Sequence, residues 1–90
     1  MQVVIAITAQ DIRAGVRHSC RRCPIARAAG RALPGYDVRV FGEDLFLFER
    51  GRSNRLLKIV GLPEEVRNWR RDFDSGNRVF PLRLCIDVPR

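Results

Sequence analysis

Two cysteines three positions apart, Cys20 and Cys23, form the one motif in this chain that is typical of metal or redox sites. The only histidine, His18, precedes them closely, and the third cysteine, Cys85, is far away in sequence. Because thiolates and imidazole are favoured zinc ligands, these four residues are the candidate zinc site. Structural zinc normally draws on two paired clusters of ligands, and this chain has a single pair. We therefore expect no cofactor, with zinc as the alternative at His18, Cys20, Cys23 and Cys85.

The same two cysteines also suggest thiol redox chemistry, which requires a thiolate. We expect them at the beginning of a helix, where the helix dipole and the adjacent arginines would lower a thiol pKa. In glutaredoxin-like folds, however, the motif follows the first strand directly, whereas here a helical segment intervenes. The interpretation that we favour is that Cys20 and Cys23 pack as small apolar residues, because free cysteines are among the most buried residue types.

Nothing else in the sequence indicates catalysis. One histidine without a serine or cysteine partner pattern argues against a catalytic triad, and there is no Gly-rich phosphate-binding loop. The acidic pairs Glu64/Glu65 and Asp72/Asp74 are explained more simply as charges at helix ends. We therefore predict a non-catalytic protein.

The positive charge of the chain is concentrated in one segment. The net charge is +7, and residues 12–34 contain six arginines and no acid, whereas the other parts of the chain are close to neutral. A localised positive field attracts phosphate backbones and acidic proteins, although a merely solvated surface is the simpler alternative. We predict an anionic partner, either nucleic acid or an acidic protein, that contacts Arg13, Arg17, Arg21, Arg22, Arg27 and Arg31. No exposed aromatic residue is expected among these arginines, so base stacking is not predicted.

A second hypothesis places the binding surface on a sheet. Phe41, Phe46 and Phe48 cannot all face one core if their strands alternate, so apolar area is left for a partner protein or for a homodimer. The simpler alternative is that these side chains form a second small core beneath the helix that carries Val66, Trp69 and Phe73.

Ninety residues allow one domain, residues 1–90, with one compact core. Apolar periodicity predicts strands over 3–7, 36–40, 45–50, 55–60 and 79–88, and helices over 9–15, 20–33 and 63–74. This order, βααβββαβ, predicts an α+β fold with an antiparallel-rich, five-stranded sheet and helices mainly on one face.

Several local patterns make these predictions specific. Residues 3–7 are apolar on both sides, which is typical of a strand covered on both faces. Thr8 and Asp11 have the spacing of a capping box, and Gly15 suits a left-handed residue at the end of the first helix. In the second helix, Arg27 and Arg31 are expected on the side opposite the apolar stripe. The third helix is expected to begin at Pro63 and to point its arginines outward, namely Arg67, Arg70 and Arg71.

The apolar run at 3–7 is too short for the core of a signal peptide, and a bilayer-spanning helix needs about 20 apolar residues. We therefore expect a cytoplasmic protein without a membrane partner, with its thiols mostly reduced.

Two segments of the chain resemble a group of small proteins from actinobacteria and their bacteriophages. The first is Asp11-Ile12-x-x-Gly15 followed by Cys20-x-x-Cys23-Pro24-Ile25-Ala26, and the second is Leu62-Pro63 followed by Trp69-x-x-Asp72-Phe73-Asp74-x-Gly76 and Val79. The resemblance implies a phage or prophage origin and a GC-rich host. It implies no catalytic residues.

Overall fold

The computed structural model describes residues 1–51 and 53–88. Five strands and three helices follow one another in the predicted order, which confirms the α+β class. They are β1 (Gln2–Ile7), α1 (Ala9–Ala14), α2 (Pro24–Ala32), β2 (Tyr36–Phe41), β3 (Asp44–Glu49), β4 (Leu56–Gly61), α3 (Glu64–Asp74) and β5 (Leu82–Asp87).

The strands form two antiparallel sheets rather than the single five-stranded sheet expected from the sequence. β1 pairs with β5, and β2, β3 and β4 form the predicted meander. The free edge of β2 is occupied by the turn between α1 and α2, because the Val40 amide donates to the Cys20 carbonyl at 2.8 Å. With this contact in place, β1 does not extend the meander, and α2 packs against both β1 and β2.

One hydrophobic core lies between the two sheets and α2. Alternate residues of β1, β2, β3 and β5 are buried in it, as period-two patterning requires, and β4 contributes the partly buried Val60. The short side chains of the alanines in α2 let the helix approach the strands closely. The buried residues that line the core are Ile5, Ile7, Ile25, Ala26, Ala29, Val38, Val40, Leu45, Leu47, Leu84 and Ile86.

The prediction that β1 is covered on both faces is wrong. Val4 is 55% exposed, and its antiparallel partner is the exposed Cys85. The run is apolar on both sides in sequence, but its partner strand, β5, alternates buried with exposed residues. The described helices therefore cover only the face that carries Ile5 and Ile7.

The helix boundaries follow from local backbone chemistry. α2 begins at Pro24 rather than at residue 20, because a residue that precedes proline favours an extended backbone, and Cys23 has φ −65° and ψ 160°. Cys20 therefore lies in the preceding turn and not in the helix. Pro63 is the residue before α3 rather than its first residue. Within the described residues, no helix combines the length and the apolar character that crossing a membrane requires.

The capping box of α1 is confirmed, but the reason for Gly15 differs from the prediction. Gly15 has φ −67° and ψ 149°, so it does not adopt the left-handed conformation expected at this position. A Cβ atom there would lie 2.6 Å from Cγ of Pro24 and 2.7 Å from the carbonyl oxygen of Asp11. Glycine is therefore needed because the end of α1 packs directly against the start of α2.

We predict that Gly15→Ala destabilises the protein by about 1–3 kcal/mol, the usual effect of adding a methyl group where no space exists. Gly30→Ala is the matched control, because a Cβ at this helical position meets no atom within 4 Å. It should stabilise the fold by about 0.5–1 kcal/mol through helix propensity. Urea unfolding measures both variants, and equal stabilities would contradict the packing argument.

Candidate functional site

The buried carboxylate of Asp11 organises the first part of the chain. Its Oδ2 atom accepts hydrogen bonds from the backbone nitrogen of Thr8 at 2.9 Å and from Thr8 Oγ1 at 3.1 Å. Arg31 donates from Nη1 to Oδ1 at 2.8 Å and from Nη2 to Oδ2 at 2.7 Å, which makes a two-pronged ion pair. Arg31 Nη2 also donates to the carbonyl of Ala6 at 3.0 Å. The guanidinium thus ties α2 to the end of β1 and the start of α1.

The ion pair shifts both ionisations. The hydrogen bonds from Arg31 lower the pKa of Asp11 from 3.8 to about 2, against the opposite effect of burial and with help from Thr8. The same contact raises the pKa of Arg31. Arg27 Nε lies 3.7 Å from Asp11 Oδ1. Two of the six arginines predicted to bind a partner are therefore directed at the chain's own buried acid.

The turn between α1 and α2 is held against the end of α3. His18 has the left-handed value φ 60°, and its amide donates to Asp74 Oδ1 at 3.0 Å. Its imidazole Nδ1 lies 3.8 Å from Asp74 Oδ2. Within the turn, the Val16 amide donates to the Arg22 carbonyl at 2.9 Å. His18 therefore contacts α3 instead of joining the cysteines.

Arg17 lies at the carboxyl end of α3. Gly76, just past the helix, has φ +83°, and a Cβ atom there would lie 3.4 Å from Arg17 Nη2. A guanidinium at this position faces the negative end of the helix dipole. Arg13, Arg17 and Phe73 also line a common shallow cleft, so the basic turn and α3 form one continuous surface.

Three arginines of α3 lie beside that surface. Arg67, Arg70 and Arg71 line a cleft of about 230 Å³ together with Gly42, Glu43 and Asp74. The prediction that all three arginines point outward is wrong for two of them. Arg67 Nη1 donates to Glu43 Oε2 at 3.1 Å, and Arg70 donates to the carbonyls of Gly42 at 2.9 Å and Val40 at 3.3 Å. Arg71 is exposed.

The three cysteines are free thiols in different environments. Cys23 is buried at the start of α2, where its sulfur accepts from the Ala26 amide at 3.4 Å. Burial raises the pKa of the Cys23 thiol, so the lowered pKa expected from the helix dipole and the arginines is wrong for this residue. Cys20 is partly buried, and Cys85 lies on the exposed face of β5. In the part of the chain that the structure describes, no three His, Cys, Asp or Glu side chains are arranged to hold a metal ion.

The meander has an exposed apolar face, which we call the outer sheet face. It consists of Arg39 and Phe41 of β2, Phe46 and Phe48 of β3, and Leu56 and Ile59 of β4. The rings of Phe41 and Phe46 meet edge to face with centroids 5.2 Å apart, and those of Phe46 and Phe48 are 6.4 Å apart and inclined by 19°. Phe41 is 43% and Ile59 is 50% exposed. These phenylalanines do not form a second core beneath α3.

All three phenylalanines share one face, which the sequence-based prediction missed. The length of the β2–β3 turn decides which face Phe41 takes. The pattern Gly42-Glu43-Asp44 predicts a three-residue turn. In the structure Phe41 pairs with Asp44, so only Gly42 and Glu43 form the turn. A two-residue turn places Phe41 on the same side as residues 44, 46 and 48. An exposed aromatic row beside Arg39 follows directly from that register.

The fold and these surfaces define a small α+β protein with arginines on the α1–α2 turn and α3, and with an outer sheet face that carries phenylalanines. Comparison of the chain with protein families, curated proteins and solved structures finds no match.

We predict a stability loss at low pH that depends on Asp11. A carboxyl group with a folded pKa of about 2 and an unfolded pKa of 3.8 stabilises the fold above pH 3.8. That contribution, about 2 kcal/mol, is lost as the pH falls from about 4 to about 2.

Asp11→Asn should remove this pH-dependent contribution, which urea unfolding at about pH 6 and about pH 2.5 would measure. Asp87→Asn is the control, because among residues 1–51 and 53–88 this exposed carboxylate pairs with the terminal amine alone. An equally large pH effect in Asp11→Asn would contradict the assignment.

The environments of the thiols give a further prediction. Under native conditions a maleimide reagent should label Cys85 fastest, and Cys23 should react only when the protein unfolds, because it is inaccessible and its pKa is raised. Mass spectrometry of peptides after timed quenching measures each site, with Cys85→Ser as the control for the fast signal. Fast labelling of Cys23 would contradict the buried position.

Proposed function

We propose that the protein is a non-catalytic binding module that holds nucleic acid on a basic face. This basic face consists of Arg13 of α1, Arg17 and Arg22 of the turn that follows it, and Arg71 of α3. At its edge lie Arg67 and Arg70, whose guanidinium groups already bind Glu43 and the carbonyls of Gly42 and Val40. The observation that carries the proposal is the position of Arg17 at Gly76, which joins the basic turn to the arginines of α3.

The charge balance of this face favours an anionic partner. Residues 67, 70, 71 and 74 follow helical spacing, so three arginines and one acid share a stripe of α3. Asp74 is engaged by His18, and Glu43 is paired with Arg67. Both acids that line the α3 cleft are therefore occupied, while Arg71 and Arg22 are exposed with no ion pair within the described residues.

Three of the predicted arginines face acids of the fold. Arg31 and Arg27 are directed at Asp11, and Arg21 Nη2 lies 3.9 Å from Asp37 Oδ2. Part of their charge is neutralised within the molecule. The proposal therefore keeps Arg13, Arg17 and Arg22 from the predicted set and adds Arg71 of α3.

Nucleic acid fits this face better than a single small anion does. The arginines are spread along two adjoining shallow clefts rather than gathered in one enclosed pocket. A row of separated guanidinium groups matches a chain of phosphates, and each contact releases counterions on binding. The phage or prophage origin implied by the resemblance stays a prediction.

We predict that binding to a labelled 20-nucleotide DNA weakens steeply with salt, and that charge reversal on the basic face weakens it further. Arg22→Glu and Arg71→Glu, tested singly, should each lower the affinity by about tenfold. Each should also reduce the salt slope by about 0.7–0.9 for every phosphate that the variant no longer neutralises. Fluorescence anisotropy across a salt series measures both quantities.

The control is Arg83→Glu, which makes the same change in net charge at an exposed position on β5 that lines neither arginine cleft. A similar loss in the control would show a general charge effect and contradict a defined face. Binding to an acidic peptide such as polyglutamate, but not to DNA, would replace nucleic acid with an acidic protein as the partner.

A further inference from the structure

The outer sheet face is a surface feature that the basic face leaves unexplained. Its three phenylalanines form a contiguous row in which Phe41 is exposed and Phe46 and Phe48 are half-buried. Such a row is unusual, because isolated apolar residues and not contiguous aromatic patches are the norm on surfaces. The row runs from Phe41, at the β2–β3 turn, through Phe46 to Phe48 near the β3–β4 turn.

We propose that the outer sheet face stacks the bases of single-stranded nucleic acid, an inference that rests on the nucleic-acid binding proposed above. Aromatic side chains on a sheet provide flat surfaces for bases, and such stacking tolerates any sequence because every base has a π face. Phe46 and Phe48 alternate along β3, the central strand of the meander, so their rings lie side by side on one face.

Arg39 covers the Phe48 end of the aromatic row. Its Cζ atom lies 4.3 Å from the ring centroid of Phe48, and Nη2 donates to Asp37 at 3.0 Å and to Asn54 at 3.3 Å. The side chain is 16% exposed and ion-paired with Asp37, so it holds the Phe48 ring in place and adds little free charge. Bases therefore stack mainly on Phe41 and Phe46, at the other end of the row.

The outer sheet face adjoins the basic face through the β2–β3 turn. Phe41 directly precedes Gly42, whose carbonyl accepts from Arg70, and Arg67 pairs with Glu43 in the same turn. A strand whose phosphates follow the α3 arginines therefore reaches the aromatic row without a gap. The far end of the row is bordered by Arg50 and Arg55 of the β3–β4 segment.

Most acids around the outer sheet face are paired. Asp37 pairs with Arg39 at 3.0 Å, Glu43 with Arg67 at 3.1 Å, and Glu49 with Arg55 at 3.4 Å. Asp44, opposite Phe41, makes no ion pair among the described residues, so repulsion of phosphates is reduced along the face except beside this residue. The arginines at the two ends of the row, Arg50 and those of α3, favour nucleic acid over an apolar partner protein.

The size of the outer sheet face suits a few bases. Three strands of six residues cover about 200–300 Å² in projection, from strand spacing and rise. Sheets that bind single strands stack only two or three bases on such a surface. A second copy of the chain would need to bury further surface around it, because a stable protein interface buries about 800 Å² of accessible surface on each partner.

The test compares Phe46→Leu and Phe41→Leu with Val4→Ala. The leucine variants keep apolar area and remove the ring, whereas Val4→Ala trims an exposed apolar side chain on the β1–β5 sheet, outside the outer sheet face. The probes are a fluorescein-labelled 12-nucleotide oligo(dT) and a 12-base-pair duplex, read by fluorescence anisotropy. Each leucine variant should bind oligo(dT) about tenfold more weakly and the duplex unchanged, and Val4→Ala should bind both like the wild type. Phe41→Leu, at the more exposed position, decides the matter if Phe46→Leu unfolds in a thermal melt.

The outcomes separate this inference from the proposed function. If Arg71→Glu weakens binding to both probes but neither leucine variant changes oligo(dT) binding, stacking is overturned and the basic face stands. If the wild type binds neither probe, the proposed function fails and the inference fails with it. If sedimentation shows a dimer that Phe46→Leu dissociates, the outer sheet face is occupied by a second copy, and stacking is overturned.

Discussion

The ion pair between the carboxylate of Asp11 and the guanidinium of Arg31 is the contact on which the first third of the molecule depends. It joins three elements: the end of β1 through Ala6, the start of α1 through Thr8, and the last turn of α2. A buried carboxylate is costly unless its oxygens are satisfied, and here four donor contacts satisfy them. Once α1 and α2 are fixed in this way, the close approach at Gly15 and the path of the basic turn toward α3 follow.

The arginines of this protein fall into two groups that composition alone does not separate. Arg31, Arg39 and Arg70 satisfy carboxylates or backbone carbonyls of the fold, so much of their hydrogen-bonding capacity is used internally. Arg22 and Arg71 are exposed without such contacts among the described residues. Net charge therefore overstates the surface that is free to bind, because a guanidinium serves equally well as an internal donor and as a phosphate ligand. The basic face is therefore defined mainly by exposed arginines whose charge no acid of the fold neutralises.

Much of the fold could be predicted because its signals are local. Alternation along residues 36–60 and the Thr8/Asp11 capping box depend only on neighbours in sequence, and both were predicted correctly. The division into two sheets could not be predicted, because it depends on a backbone contact between Cys20 and Val40, which are far apart in the chain. The same limit applies to Gly15, whose conformation is ordinary and whose necessity comes from Pro24.

The candidate site was predictable only in part for a related reason. Segment charge located the basic turn, since six arginines without an acid are visible in the sequence. That the α3 arginines join the turn depends on how α3 packs, and the partner choice of Arg31 depends on which acid is buried nearby. For Cys23, the dipole and the arginines were both recognised, but desolvation outweighs them once the thiol is fully enclosed. Burial is a tertiary property, so the direction of the pKa shift could not be read from the motif.

β3 is the strand most prone to aggregation before the chain folds. Leu45 and Leu47 fill the core while Phe46 and Phe48 form the outer sheet face, so four consecutive residues are apolar. Such a segment is prone to intermolecular β-aggregation in a nascent or unfolded chain. Asp44 and Glu49 bracket it at either end, in the manner of gatekeeper charges that hinder stacking of identical strands. The acids at the two ends of β3 thus hinder aggregation of the unfolded chain, so a sheet that is apolar on both faces can still fold productively.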